Sequence, residues 1–343
     1  MSITKKQSDQ LQSIAILMML FLHLFNRDYK GLFQPLIFIG KQPLSYYFSL
    51  FSDACVPIFA FVSGYGLYFK YNENSQTYKI DNRGKLKKMY ANYWVILMIF
   101  SVGLGLAIGK DGYPGSWLKL ILNITALNPS YNGAWWFFTI YIFFVISSSF
   151  WFQLVEKINP YVYIGGLTLV YLISFYFRIY RAHIFNNEFL NWLQTQAALY
   201  FCTLFQFMLG VFFYHYKWER LTNRIASNTN RALFYFALGN LLLIILHAYI
   251  PNFIIAPFTG LVFTFLFIPL HVNKHLAMVL DFFKPHATNI WLVHMFFYMV
   301  FFKDFIYRAH FVLPIFLLLI LCCLVSSFII NSINRRISKI ISQ

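Results

Sequence analysis

Charged residues are scarce in this chain of 343 residues and make up 11% of it, against about 25% in an average soluble domain. Acids are the rarer kind, with 11 Asp and Glu against 27 Lys and Arg. Hydrophobic residues make up 59% of the chain, and its 42 Phe and 24 Tyr are too many for one soluble core of this size. The composition therefore excludes an ordinary soluble protein and predicts an all-α, polytopic membrane helix bundle.

Several chemical motifs are also missing. The four cysteines lie in apolar stretches without C-x-x-C spacing, which argues against a disulfide framework or a zinc site. The chain has no glycine-rich phosphate loop, Walker motif or G-x-S-x-G elbow, so a covalent serine mechanism is unsupported. His271 and His275 have the i, i+4 spacing of a metal pair but lack an accompanying acid, and we expect no metal.

Ten apolar segments are long enough to predict spanning helices, in a single transmembrane domain over residues 1–343. Their approximate limits are 9–26, 46–69, 91–109, 134–154, 161–180, 197–215, 232–250, 253–271, 287–303 and 310–331. Around Pro251 the pattern fits either two short spans or one broken hairpin. The segment 116–127 is too short and polar to span and predicts an interfacial or re-entrant helix.

Basic residues between the spans set the predicted orientation. With both termini cytoplasmic, 18 Lys and Arg lie on the inner side and 9 on the outer side. This bias obeys the positive-inside rule for an even number of spans. The net charge of +16 is therefore explained by topology, and no nucleic-acid partner is expected.

His23 is the most informative polar residue, because it lies inside the first apolar segment. A titratable group in hydrocarbon is costly unless it is paired or wet, and histidine is the side chain best suited to move a proton near neutral pH. Gln12 lies eleven residues earlier, within about 20° of the same helical face. His23 is either a functional base or a histidine bonded to a neighbouring hydroxyl or carbonyl group.

Asp53 and His294 are two further polar residues inside predicted spans. Asp53 lies at a depth similar to that of His23. It either orients and charge-stabilises His23, as a carboxylate supports a catalytic imidazole, or caps a helix near the outer interface. His294 lies in the middle of a span, where it either makes a helix-to-helix hydrogen bond or contributes to a site.

The basic segment 83–90 leads into the third span from the cytoplasm. It is either an ordinary positive-inside anchor or a docking site for a phosphorylated cytoplasmic cofactor, because clustered Lys and Arg bind phosphate by charge-assisted hydrogen bonds.

Five stretches, spread in order over about residues 10–300, resemble the acyltransferase-3 family of integral membrane O-acyltransferases. Leu11–Ala15 followed by His23 is similar to the family's Leu-Arg-x-Ile-Ala run and its histidine. Val56–Tyr65 is similar to its Val-Pro-x-Phe-Phe-x-x-Ser-Gly-Tyr. The remaining three are Lys85–Tyr93, Trp135–Phe138 and Ile290–His294. Where the family has arginines, this chain has Gln12 in span 1 and Lys85 and Lys88 before span 3.

The resemblance implies transfer of an acyl group, most simply acetyl, from cytoplasmic acyl-CoA to a hydroxyl group of a cell-surface or exported glycan. His23 would be the general base and Asp53 would orient it. The implied CoA-binding residues are Lys85, Lys88, Arg83 and Gln12. The implied substrate or channel residues are Ser63, Tyr65, Trp136 and His294.

Two other functions stay open at this point. A transporter or flippase of a polymeric or lipid-linked sugar also fits ten spans with an intramembrane histidine. A family member that acts only as a structural partner is the third interpretation, because Gln12 lacks the charge of arginine. The expected location is the plasma membrane, and the Ile, Lys, Asn and Phe usage hints at a bacterium. The oligomeric state is left open between monomer and homo-oligomer.

Overall fold

The computed structural model describes residues 3–223 and 229–341. Within them the regular structure is helical except for one antiparallel pair of two-residue strands, β1 (Phe38–Ile39) and β2 (Gln42–Pro43). The α-helices are α1 (Lys5–Phe25), α2 (Leu44–Phe51), α3 (Cys55–Glu73), α4 (Tyr78–Ile96), α5 (Gly105–Ile108), α6 (Trp117–Ile124), α7 (Trp136–Lys157), α8 (Pro160–Ile179), α9 (Glu188–His215), α10 (Glu219–Asn223), α11 (Thr229–Tyr249), α12 (Ala256–Phe267), α13 (Lys274–Phe283), α14 (Ala287–Met295), α15 (Lys303–Tyr307) and α16 (Val312–Ile341). The predicted all-α membrane fold is confirmed.

Eight helical segments in the described residues are long and apolar enough to cross a membrane. They are Lys5–Phe25, Leu44–Glu73, Tyr78–Ile108, Gly133–Lys157, Pro160–Ile179, Glu188–His215, Thr229–Tyr249 and Val312–Ile337. The other two predicted spans correspond to shorter helices. The span 253–271 is the apolar helix Phe253–Phe267, and 287–303 is α14 followed by the π-helical segment Phe296–Phe301.

Pro251 separates two distinct helices, since α11 ends at Tyr249 and the next helical turn begins at Phe253. Proline cannot donate a backbone hydrogen bond, so a helix ends before it. Part of the predicted cytoplasmic segment 216–231, residues 224–228, lies outside the described residues.

The chain forms two compact units, each made of segments that are distant in sequence. The first unit contains Met1–Ala15, Leu50–Tyr78 and Ile140–Asp281. The second unit contains Ile16–Ser49, Lys79–Thr139 and Phe282–Gln343. A single domain over residues 1–343 stays a prediction, because compact units of one chain can belong to one domain.

The first unit is centred on the packing of α3 against α9. A Cβ atom added at Gly64 would lie 1.9 Å from the carbonyl oxygen of Phe207, and one added at Gly210 would lie 1.9 Å from that of Phe61. The two backbones therefore touch where each helix has a glycine. Small residues commonly permit this close approach of membrane helices.

In the second unit, α4 holds the short helix α6 by three aromatic side chains. Tyr93 Oη donates to the carbonyl of Asn123 (2.7 Å), Trp94 Nε1 to that of Ile124 (2.9 Å) and Tyr90 Oη to that of Thr125 (3.0 Å). Large apolar side chains of α6 face away from the protein, and the exposed fraction of Trp117 is 80%. A short helix at 116–127 is thus confirmed, and its position at the membrane interface stays a prediction.

Candidate active site

His23 of α1 and His294 of α14 form a hydrogen-bonded pair in the second unit. His23 Nδ1 lies 2.7 Å from His294 Nε2. The ring planes are within 5° of parallel, with centroids 4.9 Å apart. His294 is fully buried and His23 is half-buried. Both residues were predicted from the sequence as candidate site residues, but the contact between them was not predicted.

The second ring nitrogen of His294, Nδ1, determines which histidine donates the hydrogen bond in the pair. His294 Nδ1 lies 2.7 Å from the backbone carbonyl oxygen of Trp291. A carbonyl oxygen only accepts, so Nδ1 must carry the hydrogen, and the Nε2 of a neutral His294 is then an acceptor. It follows that His23 donates through Nδ1. In a neutral His23 the lone pair is therefore on Nε2, to which no described residue hydrogen-bonds.

The helix that carries His294 is clamped by the turn before α7. Trp135 Nε1 and Asn132 Nδ2 both donate to the carbonyl of Leu292, at 2.8 and 2.9 Å. In return, Trp291 Nε1 donates to the carbonyl of Ala134 at 3.0 Å. All three side-chain bonds end within one turn of His294, so the clamp fixes the position of its ring.

Two residues beside the histidines were missed by the sequence analysis. The Tyr298 ring lies 6.1 Å from the His23 ring and 5.8 Å from the His294 ring, nearly parallel to both. The Arg27 guanidinium lies 5.1 Å from the Tyr298 ring centroid, and its Nη2 donates to the carbonyl of His23 at 2.6 Å. The signal for Arg27 was its spacing, because residues four apart share a helical face.

Asp53 belongs to the first unit, where it interacts electrostatically with the guanidinium of Arg178. Arg178 also lies 4.6 Å from the ring centroid of Phe253 and hydrogen-bonds the Cys202 thiol. The imidazole partner that the second unit gives to His23 is His294, and not a carboxylate. The role of Asp53 toward His23 stays a prediction.

The basic residues predicted to bind CoA lie on α4 in the second unit. Lys85 is half-buried, whereas Lys88 and Arg83 are exposed. Lys85 and Lys88 are three residues apart and therefore share one face of α4. Asn92, four residues after Lys88, lies on the same face and begins a network of side-chain amides.

This amide network was also missed. Asn92 Nδ2 donates to Asn289 Oδ1 (2.8 Å), and Asn334 Nδ2 donates to Asn92 Oδ1 (2.5 Å). Asn289 Nδ2 also bonds Asn331 Oδ1 (2.9 Å) and Ser327 Oγ (3.0 Å). Asparagines inside apolar segments were the available signal, since polar residues in a span are costly unless bonded.

The remaining predicted site residues lie in different places. Gln12 is half-buried in the first unit, with Nε2 at 3.5 Å from Ser8 Oγ. Also in the first unit are Ser63, half-buried, and Tyr65, which is buried against the rings of α9. Trp136 is half-buried at the start of α7 in the second unit. Its neighbour Trp135 makes the bond to the helix of His294.

The helical fold and the oriented histidine pair define a multi-pass membrane protein with a hydrogen-bonded pair of histidines held among its helices. A model of the acyltransferase domain of the acyltransferase-3 family matches residues 6–332, and the chain belongs to this family. The predicted resemblance is thereby confirmed, and the chain is a membrane O-acyltransferase. Comparisons with curated proteins and with solved structures gave no match.

Proposed function

We propose that this acyltransferase moves an acetyl group from cytoplasmic acetyl-CoA to a hydroxyl group of a cell-surface or exported glycan, in the plasma membrane of a bacterium. The observation that supports it most is the orientation of His23. Its Nδ1 is bonded to His294, and its Nε2 lone pair has no partner among the described residues. A base held in this way accepts a proton from a hydroxyl group as that group attacks a thioester.

The proposed reaction needs His23 twice. Its Nε2 first takes the proton of the acceptor hydroxyl while the hydroxyl oxygen attacks the thioester carbon. The imidazolium that forms keeps its Nδ1–H bond to His294, which holds the ring in place as the orienting residue of a catalytic triad does. Collapse of the intermediate expels the CoA thiolate, which receives the proton from His23 Nε2. A positioned base of this kind contributes about 10²–10⁴-fold to the rate.

The face of α4 supports a site for the donor. Lys85 and Lys88 offer two cations for the phosphates of CoA, as point charges without the bidentate geometry of arginine. Asn92 and its amide network follow one helical turn later, about 6 Å along the axis. Such amides match the hydrogen-bonding groups of a pantetheine arm, which we propose runs from the lysines along this face.

The reaction is tested with the purified chain in proteoliposomes, supplied with acetyl-CoA and envelope glycan from cells that lack it. We expect free CoA and acetylated glycan in equal amounts, measured with a thiol reagent and by mass spectrometry. Vesicles without the chain are the control. Movement of glycan across the membrane without release of CoA would contradict the proposal and favour the transporter.

Replacing Lys88 with glutamine is expected to raise the KM for acetyl-CoA about 10- to 100-fold, because one charge-assisted hydrogen bond to phosphate contributes about 1.5–3 kcal/mol. The kcat should change little, since the lysine acts on binding. Lys87→Gln is the matched control, because Lys87 is also exposed but faces another side of α4. An equal change of KM in both variants would show that the segment acts only as a general positive anchor.

A further inference from the structure

Among the described residues of the second unit, Arg27 is the cation that lies against the His23 pair. It follows the end of α1 and lies four residues after His23, whose carbonyl accepts a hydrogen bond from Nη2. Its charge acts on the His23 imidazole. The guanidinium also hydrogen-bonds the Tyr298 hydroxyl and lies 5.1 Å from the centroid of that ring, an aromatic face that attracts cations.

The hydrogen bonds of Arg27 are incomplete. Its Nε atom is buried and has no hydrogen-bond partner. In the part of the chain that the structure describes, no carboxylate lies within 4.0 Å of its guanidinium. The neighbouring Asp28 is exposed and accepts instead from the backbone of Lys30. A buried donor of a charged group is costly when it is unsatisfied, and the Nε–H of Arg27 is such a donor.

Capping of α1 does not account for this arrangement, because the bond to the helix carbonyl uses only Nη2. The charge beside His23 is also unfavourable on its own. When His23 takes up a proton, two cations share the site and repel each other. The repulsion is removed only if a negative charge forms beside them at the same time.

We propose that Arg27 binds the carbonyl oxygen of the acyl thioester and stabilises the oxyanion that develops on it. The proposal rests on the proposed function. It makes Arg27 a catalytic residue for acyl transfer, in the role that backbone or side-chain donors have in an oxyanion hole.

Every bond that breaks in the proposed step is matched by one that forms. The acceptor oxygen bonds to the thioester carbon, its proton moves to His23 Nε2, and the carbonyl π pair moves onto the oxygen held by Arg27. The pair then returns to re-form the carbonyl, the C–S bond breaks, and the thiolate takes the proton from His23. The products are an ester and a free thiol, and Arg27 ends in its initial state.

The test measures acetyl transfer by Arg27→Gln and Arg27→Lys in the proteoliposome assay, with Arg308→Gln as the control. Arg308 is an exposed arginine of the same unit. For Arg27→Gln we expect a kcat lower by about 10²–10³-fold, as for loss of one oxyanion-hole donor, with the KM for acetyl-CoA within about twofold of wild type. Arg27→Lys keeps the charge and should keep part of the kcat.

A further variant separates chemistry from folding. In Arg27→Ala, added guanidinium ion should restore part of the kcat, which it would not do if Arg27 only capped α1. Wild-type kcat in both Arg27→Gln and Arg27→Lys would overturn the proposal, as would an effect confined to the KM for acidic glycans. If wild type and Arg308→Gln release no CoA, it is the acyl transfer itself that is wrong.

Discussion

His23→Gln is expected to lower the rate of glycan acetylation by about 10²–10⁴-fold, the contribution of one positioned general base. Glutamine keeps a donor that can reach His294 Nε2, so the contact between α1 and α14 is retained. What it lacks is a group that takes up a proton at the position of His23 Nε2. The loss should therefore appear in kcat, measured as CoA released at saturating acetyl-CoA.

The matched control is His247→Gln. His247 is likewise a histidine within a candidate span; it is buried, and its Nε2 is 2.8 Å from Thr259 Oγ1. Because glutamine can keep this bond, acetylation per folded molecule should stay within a fewfold of wild type. Undiminished acetylation by His23→Gln at equal protein level would contradict the base assignment. A similar loss in both variants would show that the effect is not specific to His23.

The importance of His23 could be predicted from the sequence, but its partner could not. A histidine in an apolar run is unusual on its own, and so is His294. Their contact joins residues 271 positions apart, and no spacing rule connects them. The sequence analysis chose Asp53 as the orienting residue because a carboxylate is the familiar partner of imidazole. The second unit gives His23 a second histidine, whose orientation is fixed by a backbone carbonyl, and the role of Asp53 stays a prediction.

The role of Arg27 could not be predicted from the sequence, for a different reason. It lies at the end of the first predicted span, where a basic residue is routinely interpreted as part of a loop. Its significance depends on a buried Nε without a partner and on the Tyr298 ring, both of which are tertiary features. The amide network around Asn289 was missed for a similar reason, because each asparagine taken alone is an ordinary polar residue near the end of a span.

The helical architecture was more predictable, because spans are set by length and hydropathy. Eight of the ten predicted spans meet both criteria in the structure. The two that do not are shortened by local backbone features. The helix of the span 253–271 ends at Phe267, two residues before Pro269, and hydrogen bonding changes from α to π at Phe296 in the other. A window of hydropathy detects apolar length but does not detect such a change in backbone geometry.

Gly64→Ala is expected to lower the free energy of unfolding by about 1–3 kcal/mol, as overpacking of a close-packed interior does. Its new methyl group would lie 1.9 Å from the carbonyl oxygen of Phe207, so α3 and α9 must move apart. The obstacle is backbone, which cannot rotate away as a flexible side chain would. Larger residues such as leucine should prevent the two helices from packing.

Gly66→Ala is the control on the same helix, because nothing lies within 4 Å of a Cβ added there. Alanine has the higher helix propensity, by about 1 kcal/mol, so this variant should be as stable as wild type or slightly more stable. Both are measured by thermal unfolding in detergent. Equal stability of Gly64→Ala and wild type would contradict the close contact of α3 and α9. Since Gly64 acts on folding and His23 on chemistry, acetylation per folded molecule should be normal in Gly64→Ala and lost in His23→Gln.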